Sequence, residues 1–520
     1  YNDWVISQML VLLSALIIHK IRLLNLLNIS DLSVRLFACV FLLIIGYVIS
    51  KQERSGIPPG PSYWPIVGNI VDMKLTFAGK RHKYFEQLQE KHGDIFRIYF
   101  GSQLMIVLND FESVDEAFVK QKDVFSIRPA EKLWSVNRAI QGGKGVIWSS
   151  GQEWKDARRM ALHTLRDLGV GKSTLEDRIK DETNVVLDFL NKSEGTSFSA
   201  HDIMMKATTN IISSVVLGKR YDYDDPGFLQ IMAVIDAGFK SDGPFSPINE
   251  FPQLRFMPFI ASKFLANATS VEQAGEFISK HVEEHKQAFS KNNINDFIDV
   301  CLDIGENGES SSISQGCLER TILDLFLAGS DTTATTLDWA LLFMIVNPEV
   351  QKKCQEEIDD VVGDSRMVAW SDKSKMPYNE ATLLEVQRLG NTIPASLPHT
   401  ASKDTVVKGY VIPEGSLVYA NMYACHLDSR YWKEPLAFKP ERFLDDTGKV
   451  SKQNASFMPF STGPRICAGE PLARMELFLF FTNVLQRFSL STPSSETPSI
   501  DGICGLSLAP PPYSVHAKRR

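Results

Sequence analysis

Apolar and polar positions change period several times along this chain, and each change marks an element. Ser314 to Val346 carries the longest helical pattern, and Asn347-Pro348 closes it. At about 1.5 Å per residue, such a helix crosses a whole domain. Gly151 to Gly169 reads as a basic helix, Asn379 to Gly390 as a shorter one. After Pro471, the positions Leu472, Met475 and Leu479 form the apolar face of another. Ile95 to Phe100 and Leu104 to Leu108 are β-rich runs joined at Gly101-Ser102, a hairpin pattern. Thr405 to Val407, Tyr410 to Ile412 and Ser416 to Tyr419 read as short strands of one small sheet, punctuated by Gly409 and Pro413-Glu414-Gly415. The pattern predicts a mainly α fold with a smaller β-rich part.

Two apolar runs, Trp4 to Ile18 and Leu36 to Ile49, precede the first turn-forming residues. Each falls short of the ~20 residues that span a bilayer comfortably, yet together they are expected to make residues 1–50 an N-terminal membrane anchor. Lys51 and Arg54 place the following body on the cytosolic side, while Lys20, Arg22 and Arg35 leave the topology of the two runs open. Next, Gly56-Ile57-Pro58-Pro59-Gly60-Pro61 is excluded from helix and sheet interiors, so 51–65 is expected to be a stiff, proline-rich hinge. Nothing low-complexity interrupts 66–520, which reads as a single domain.

Composition is ordinary for a globular protein, with 44% hydrophobic and 22% charged residues. A net charge of −7 argues against nucleic acid as a partner. Seven cysteines without a C-x-x-C pair indicate a reducing compartment and no disulfide framework. Two motifs are decoys. Gly169 to Thr174, G-V-G-K-S-T, lacks the first glycine of a phosphate loop and follows a helix instead of a strand. His281 to His285, H-V-E-E-H, has a zinc-like spacing, but its neighbours alternate as in an ordinary amphipathic helix.

Two stretches break their local rules. The centre of the long helix, Ala328-Gly329-Ser330-Asp331-Thr332-Thr333, places glycine and hydroxyl residues where Ala or Leu would favour helix, a conflict typical of functional sites. The second is Cys467, between the Gly463-Pro464 turn and a helix start. A lone cysteine is more often a buried core residue. Here, however, unpaired helix N–H groups and Arg465 favour a thiolate, a nucleophile or metal ligand. Phe460, Gly463, Arg465, Cys467 and Gly469 spell F-x-x-G-x-R-x-C-x-G, whose chance occurrence is on the order of one in ten thousand.

That loop resembles the haem-binding loop of the cytochromes P450, and the resemblance extends from Pro58 to about Pro510, closest to the animal microsomal family-2 type. It implies a cytochrome P450 fold around a buried haem b (iron protoporphyrin IX), with Cys467 as the iron ligand. It further implies that Gly463 and Gly469 admit the porphyrin, and that Arg465, Trp154, Arg158, Arg128 and His399 serve the propionates. Ala328 and Gly329 would line an oxygen groove, Gly329 opening room for dioxygen, with Asp331 and Thr332 as a proton-delivering pair. That group more often has Glu at the position of Asp331. Glu385, Arg388 and Arg442 would form a buried structural network. The Phe-rich stretch with Phe239, Phe245, Phe251, Phe256 and Phe259 would be a mobile apolar roof, and Ile393 to Leu397 with Leu506 to Leu508 would touch substrate.

The implied activity is NADPH-driven monooxygenation of a lipophilic substrate (steroid, fatty acid or xenobiotic) with O2. Implied partners are NADPH-cytochrome P450 reductase, cytochrome b5 as a further donor, and the lipid of the endoplasmic reticulum membrane. Two other readings stay open at this stage, a reductase-independent peroxide isomerase and a non-catalytic haem sensor.

Overall fold

A computed structural model describes residues 41, 55–134, 144–169, 173–307, 313–451, 454–493 and 497–520. The chain divides into two compact units, Tyr1–Ser55 with Tyr63–Ile66, and Gly56–Ser62 with Val67–Arg520. The apolar runs Trp4 to Ile18 and Leu36 to Ile49 lie outside the described residues apart from Phe41. No helix among the described residues is long and apolar enough to cross a membrane.

The larger unit is mostly helical. The helices that position the site are α1 (Arg81–His92), α2 (Gly151–Asp167), α3 (Ala200–Val216), α4 (Pro226–Lys240), α5 (Pro258–Ala288), α6 (Gln315–Val346), α7 (Pro377–Gly390) and α8 (Glu470–Arg487). Their ends follow local chemistry. Asp225 caps α4 by accepting from the Phe228 N–H, with Pro226 in the first turn, and Ser314 caps α6 through the Cys317 N–H. Asn391 ends α7 in the left-handed conformation, at φ 44°. The centre of α6 stays helical despite its composition. There Ser330, Thr332 and Thr336 each donate to the carbonyl four residues back, and Thr208 of α3 donates to the Ser330 carbonyl.

The hairpin forms as its pattern predicts, β1 (Ile95–Phe100) antiparallel to β2 (Gln103–Leu108). The three later runs do not make one sheet. β4 (Thr405–Val407) and β5 (Tyr410–Ile412) form their own hairpin, while β6 (Leu417–Ala420) pairs in parallel with β2 and antiparallel with β3 (His399–Thr400). Burial decides this: Val406 is half exposed, whereas all four residues of β6 are buried, as suits a central strand. Two C-terminal pairs went unread in the sequence, β7 (Phe488–Ser491) with β10 (His516–Arg519) and β8 (Ile503–Cys504) with β9 (Leu508–Ala509).

Two further expectations change. The Pro58 to Pro61 segment is extended, but it lies along β1: Arg97 donates to the carbonyls of Pro58 and Pro59, and a Cβ on Gly60 would lie 2.1 Å from the Arg97 carbonyl oxygen. The Phe-rich stretch is not all roof. Phe245 is core, packed on Phe85 and Tyr419, while Phe256 is exposed. The His281 helix is amphipathic as its pattern predicts. Both ring nitrogens of His281 are taken by Tyr221 and the Phe277 carbonyl, and those of His285 by Asp296 and the His281 carbonyl.

Glu385 and Arg388 meet inside the protein, neither exposed at all. Two bonds of 2.7 and 2.8 Å join them, and Arg442 reaches the same carboxylate at 3.1 Å. The remaining donors end on carbonyls, those of Arg388 on His426, Pro435 and Ala437, and those of Arg442 on Lys433, Glu434 and Ala437. Such a pair contributes little net stability when whole and costs much when broken. Glu385→Gln should leave two guanidinium groups without a counter-charge and destabilise the fold by roughly 3–5 kcal/mol, read by urea unfolding.

Candidate active site

The Phe460 to Gly469 loop closes on itself before α8. The Cys467 N–H donates to the Phe460 carbonyl at 3.0 Å and the Ile466 N–H to the Gly463 carbonyl at 3.1 Å, around one tight turn at Gly463–Arg465. Gly463 is required at φ +75°, where a Cβ would lie 2.2 Å from the Phe118 carbonyl oxygen. Its role is therefore this loop crossing, and it is not among the residues lining the cavity described below. Cys467 and Gly469 do line it. The cysteine keeps accessible surface and lines the cavity. Burial raises the thiol above its ordinary value, opposed by the backbone N–H groups of Gly469 and Glu470 and by Arg158. The nearby cation is Arg158, and Arg465, expected in that role, points elsewhere.

The cavity has a volume of about 480 Å³ and lies between this loop and the middle of α6. Phe460 and Cys467 form one wall, and Ala328, Gly329, Thr332 and Thr333 the facing one. Ile235 and Phe239 of α4, Ile393 and Leu397 after α7, and Leu506 close it with apolar side chains. The two expected substrate-contact segments thus reach the same space. Gly329 borders the cavity, yet its missing Cβ would point at Ile212 of α3, 2.9 Å from the Ile212 Cγ1. The glycine lets α3 and α6 approach and does not of itself open room for a gas. Thr332 lines the cavity and donates to the Ala328 carbonyl at 2.7 Å. Asp331 does not line it. That carboxyl is 2% exposed among His201, Asp236 and Thr335 on another face of α6, where burial pushes its pKa up to about 7.

One end of the cavity collects cations. Arg128, Arg158, Arg465 and His399 all line it. Arg128 donates to the Leu397 and Pro398 carbonyls, both at 2.8 Å, and Arg158 to the Ile466 carbonyl. Arg465 donates to Ser126 and Ser149 carbonyls and stacks on the Trp154 ring at 3.8 Å. None of the three has a carboxylate partner among the described residues, and the Arg128 Nε and Trp154 Nε1 have no hydrogen-bond partner there. Burial lowers all three arginines, and mutual repulsion adds to it for Arg128 and Arg465. His399 stacks on Phe118, and its Nδ1 donates to the Phe125 carbonyl at 2.6 Å. Burial and the Arg128 charge hold its pKa well down, so the ring is neutral. Unpaired buried cations beside a thiol and an apolar slot form the donor set for a dianionic, iron-bearing, largely apolar group.

A model of the family described as Cytochrome P450 matches residues 58–517. The chain belongs to the cytochrome P450 family. Cytochrome P450 2U1 of Mus musculus is 38% identical over 509 residues, 93% of this chain and 95% of that protein. Cytochrome P450 2B4 of Oryctolagus cuniculus is 39% identical over 485 residues, 91% and 96% of the two chains. Cytochrome P450 2D3 of Rattus norvegicus is 35% identical over 491 residues, 93% and 97%. The protein is therefore a haem-thiolate monooxygenase whose cofactor is haem b. Its own residues fit that group: the thiol for iron, the unpaired guanidinium groups for propionates, the apolar walls for the ring.

Four residues of this region escaped the sequence reading. Glu476 lines the cavity from α8 beside the Thr333 hydroxyl, and burial raises it well above the ordinary carboxylate range. His201, Asp236 and Asp338 surround Asp331 or its neighbours. A usable cue existed for two of them, a lone acid inside the apolar runs Leu472 to Phe481 and Leu337 to Phe343. Gly329→Ala should destabilise the fold by about 1–3 kcal/mol through overpacking against Ile212. In a thermal-unfolding cycle, the double variant with Ile212→Ala should cost less than the sum of the two single changes; strict additivity would show that the two positions do not meet.

Proposed function

We propose that this monooxygenase inserts one oxygen atom of O2 into a lipophilic small molecule. NADPH-cytochrome P450 reductase supplies electrons from NADPH, and the body works on the cytosolic face of the endoplasmic reticulum membrane. One juxtaposition carries the reading: the Cys467 thiol and the Thr332 hydroxyl both line one mainly apolar cavity. The apolar runs of residues 1–50 support the membrane location, which cell fractionation checks.

Haem b with a thiolate ligand supplies dioxygen activation, since electron density from sulfur favours O–O cleavage. In this reading Cys467 holds the iron, and Arg128, Arg158 and Arg465 hold the propionates, with Trp154 fixing Arg465 by stacking. His399 joins them once a carboxylate replaces the repulsion of Arg128. Ile235, Phe239, Ile393, Leu397 and Leu506 bind the substrate by apolar contact and exclude water. Thr332 holds a proton at its Oγ1, now directed to the Ala328 carbonyl, and rotation about its side chain turns that O–H into the cavity. Asp331, behind it on the helix, is the titratable store.

Cys467→Ser should abolish the carbon-monoxide difference band of thiolate ligation; a retained band would sink the assignment. Thr332→Ala should keep haem content and first reduction but divert electrons into hydrogen peroxide. Product per NADPH should fall by roughly 10²-fold, the low end of general acid–base effects. The readout is the product-to-peroxide ratio at matched NADPH consumption, and an unchanged ratio would remove Thr332 from proton delivery.

A further inference from the structure

Asp331 and Asp338 are seven residues apart on α6, two turns, and so share a face; neither lines the cavity. The His201 ring, from the first turn of α3, lies between acids on two helices. Its Nδ1 is 3.7 Å from an Asp338 oxygen, and its Nε2 is 3.4 Å from an oxygen of Asp236 on α4. The nearest donor atoms of His201, Asp236 and Asp331 all fall within 4.8 Å of one another. Exposure rises in steps along this group, from 2% at Asp331 to side-chain values of 20% at His201 and 31% at Asp236. At the outer end, Lys240 bonds the other Asp236 oxygen at 2.7 Å. Asp338 is anchored by the Tyr513 hydroxyl at 2.8 Å. Neither His201 Nε2 nor the facing Asp236 oxygen makes a well-formed hydrogen bond, so the ring is close to its partner without being locked to it.

We propose that His201 is the positioning residue that connects Asp331 to solvent, carrying protons from the Asp236 edge of the fold to the Asp331 carboxylate on the face of α6 away from the cavity. This inference rests on the proposed role of Asp331 as the proton store. The imidazolium gives its N–H proton to the Asp331 carboxylate, becoming neutral imidazole, and the ring is reprotonated at the Asp236 edge by hydronium from bulk solvent, which leaves as water. No electrons move. The remaining groups facing the cluster are the Ser507 and Thr335 hydroxyls on Asp331 and Asp202 near Asp338. Burial disfavours the imidazolium, but Asp236, Asp338 and Asp331 outweigh it and raise His201. Asp331 is meanwhile pushed up to about 7 by burial, against the pull of His201. Asp331 therefore titrates near neutrality, beside an imidazole that its acid neighbours hold above its ordinary value, a pairing suited to a relay.

The test uses the haem-loaded full chain. An infrared titration follows the protonated carboxyl band that disappears in Asp331→Asn, in the parent protein and in His201→Gln. Glutamine keeps polarity and approximate shape without titrating, so a purely packing role would be preserved. The Asp331 midpoint should move to higher pH in His201→Gln, because the favourable positive charge is gone. Turnover should fall by up to about 10²-fold, with an increased solvent deuterium isotope effect. An unmoved midpoint, or turnover and isotope effect equal to the parent, would overturn the proposal. If His201→Gln does not fold, Asp236→Asn at the exposed end tests the same route, with slower turnover and a larger isotope effect expected and parental values overturning it. The infrared midpoint is read without turnover, so failure of the monooxygenase reading and failure of the His201 route are seen separately.

Discussion

One carboxylate, Glu385, holds two guanidinium groups where no water can help, and the cysteine wall is suspended from that arrangement. Arg388, fixed by Glu385, donates to the His426 carbonyl, and the His426 ring accepts from the Met458 N–H, two residues before Phe460. Burial keeps the His426 pKa far down, at about 3, so its ring remains an acceptor throughout the working pH range. A rigid chain of hydrogen bonds thus runs from α7 to the segment that presents Cys467. The low dielectric that makes the ion pair costly also makes it unforgiving of displacement, which suits a loop that holds one side chain against a cavity.

The long helix α6 serves two environments at once. Thr332 lines the cavity, whereas Asp331, about 100° round the helix from it, does not. Thr332 belongs to the apolar cavity and Asp331 to the polar cluster beside α3 and α4. The hydroxyl faces the apolar cavity, and the buried carboxyl faces a polar cluster whose exposure rises outward to Asp236, with the helix between them.

Much of this was legible in the residues. The Cys467 loop, the β1–β2 hairpin and the limits of α6 follow from local spacing, because turn chemistry, capping and helix periodicity act over a few positions; the Glu385–Arg388–Arg442 group was legible only through the family resemblance. What was missed depends on distant partners. The hydroxyl-rich centre of α6 marked a functional stretch, but which neighbour fills the space beside Gly329 is decided by Ile212, more than a hundred residues away. The run at β6 looked like its neighbours β4 and β5; its continuous burial, and hence its place beside β2, is a tertiary fact. Arg465 stood two residues from Cys467 in sequence, yet the turn at Gly463–Arg465 sends it to Trp154 and leaves Arg158 as the cation acting on the sulfur.

The three unpaired guanidinium groups at the cavity end also bear on the order of assembly. Arg128 precedes α2, Arg158 sits on it, and Arg465 arrives from the far end of the chain, so their meeting joins segments separated by some three hundred positions. Each brings positive charge toward the others, and the chain alone supplies no anion among the described residues to reward the encounter. Carbonyl contacts offset only part of that repulsion, so a dianion bound there, as proposed for the propionates, would stabilise the closed form by mass action. With the propionates held there as proposed, a chain starved of cofactor should loosen first at this seam, where distant segments of the chain meet.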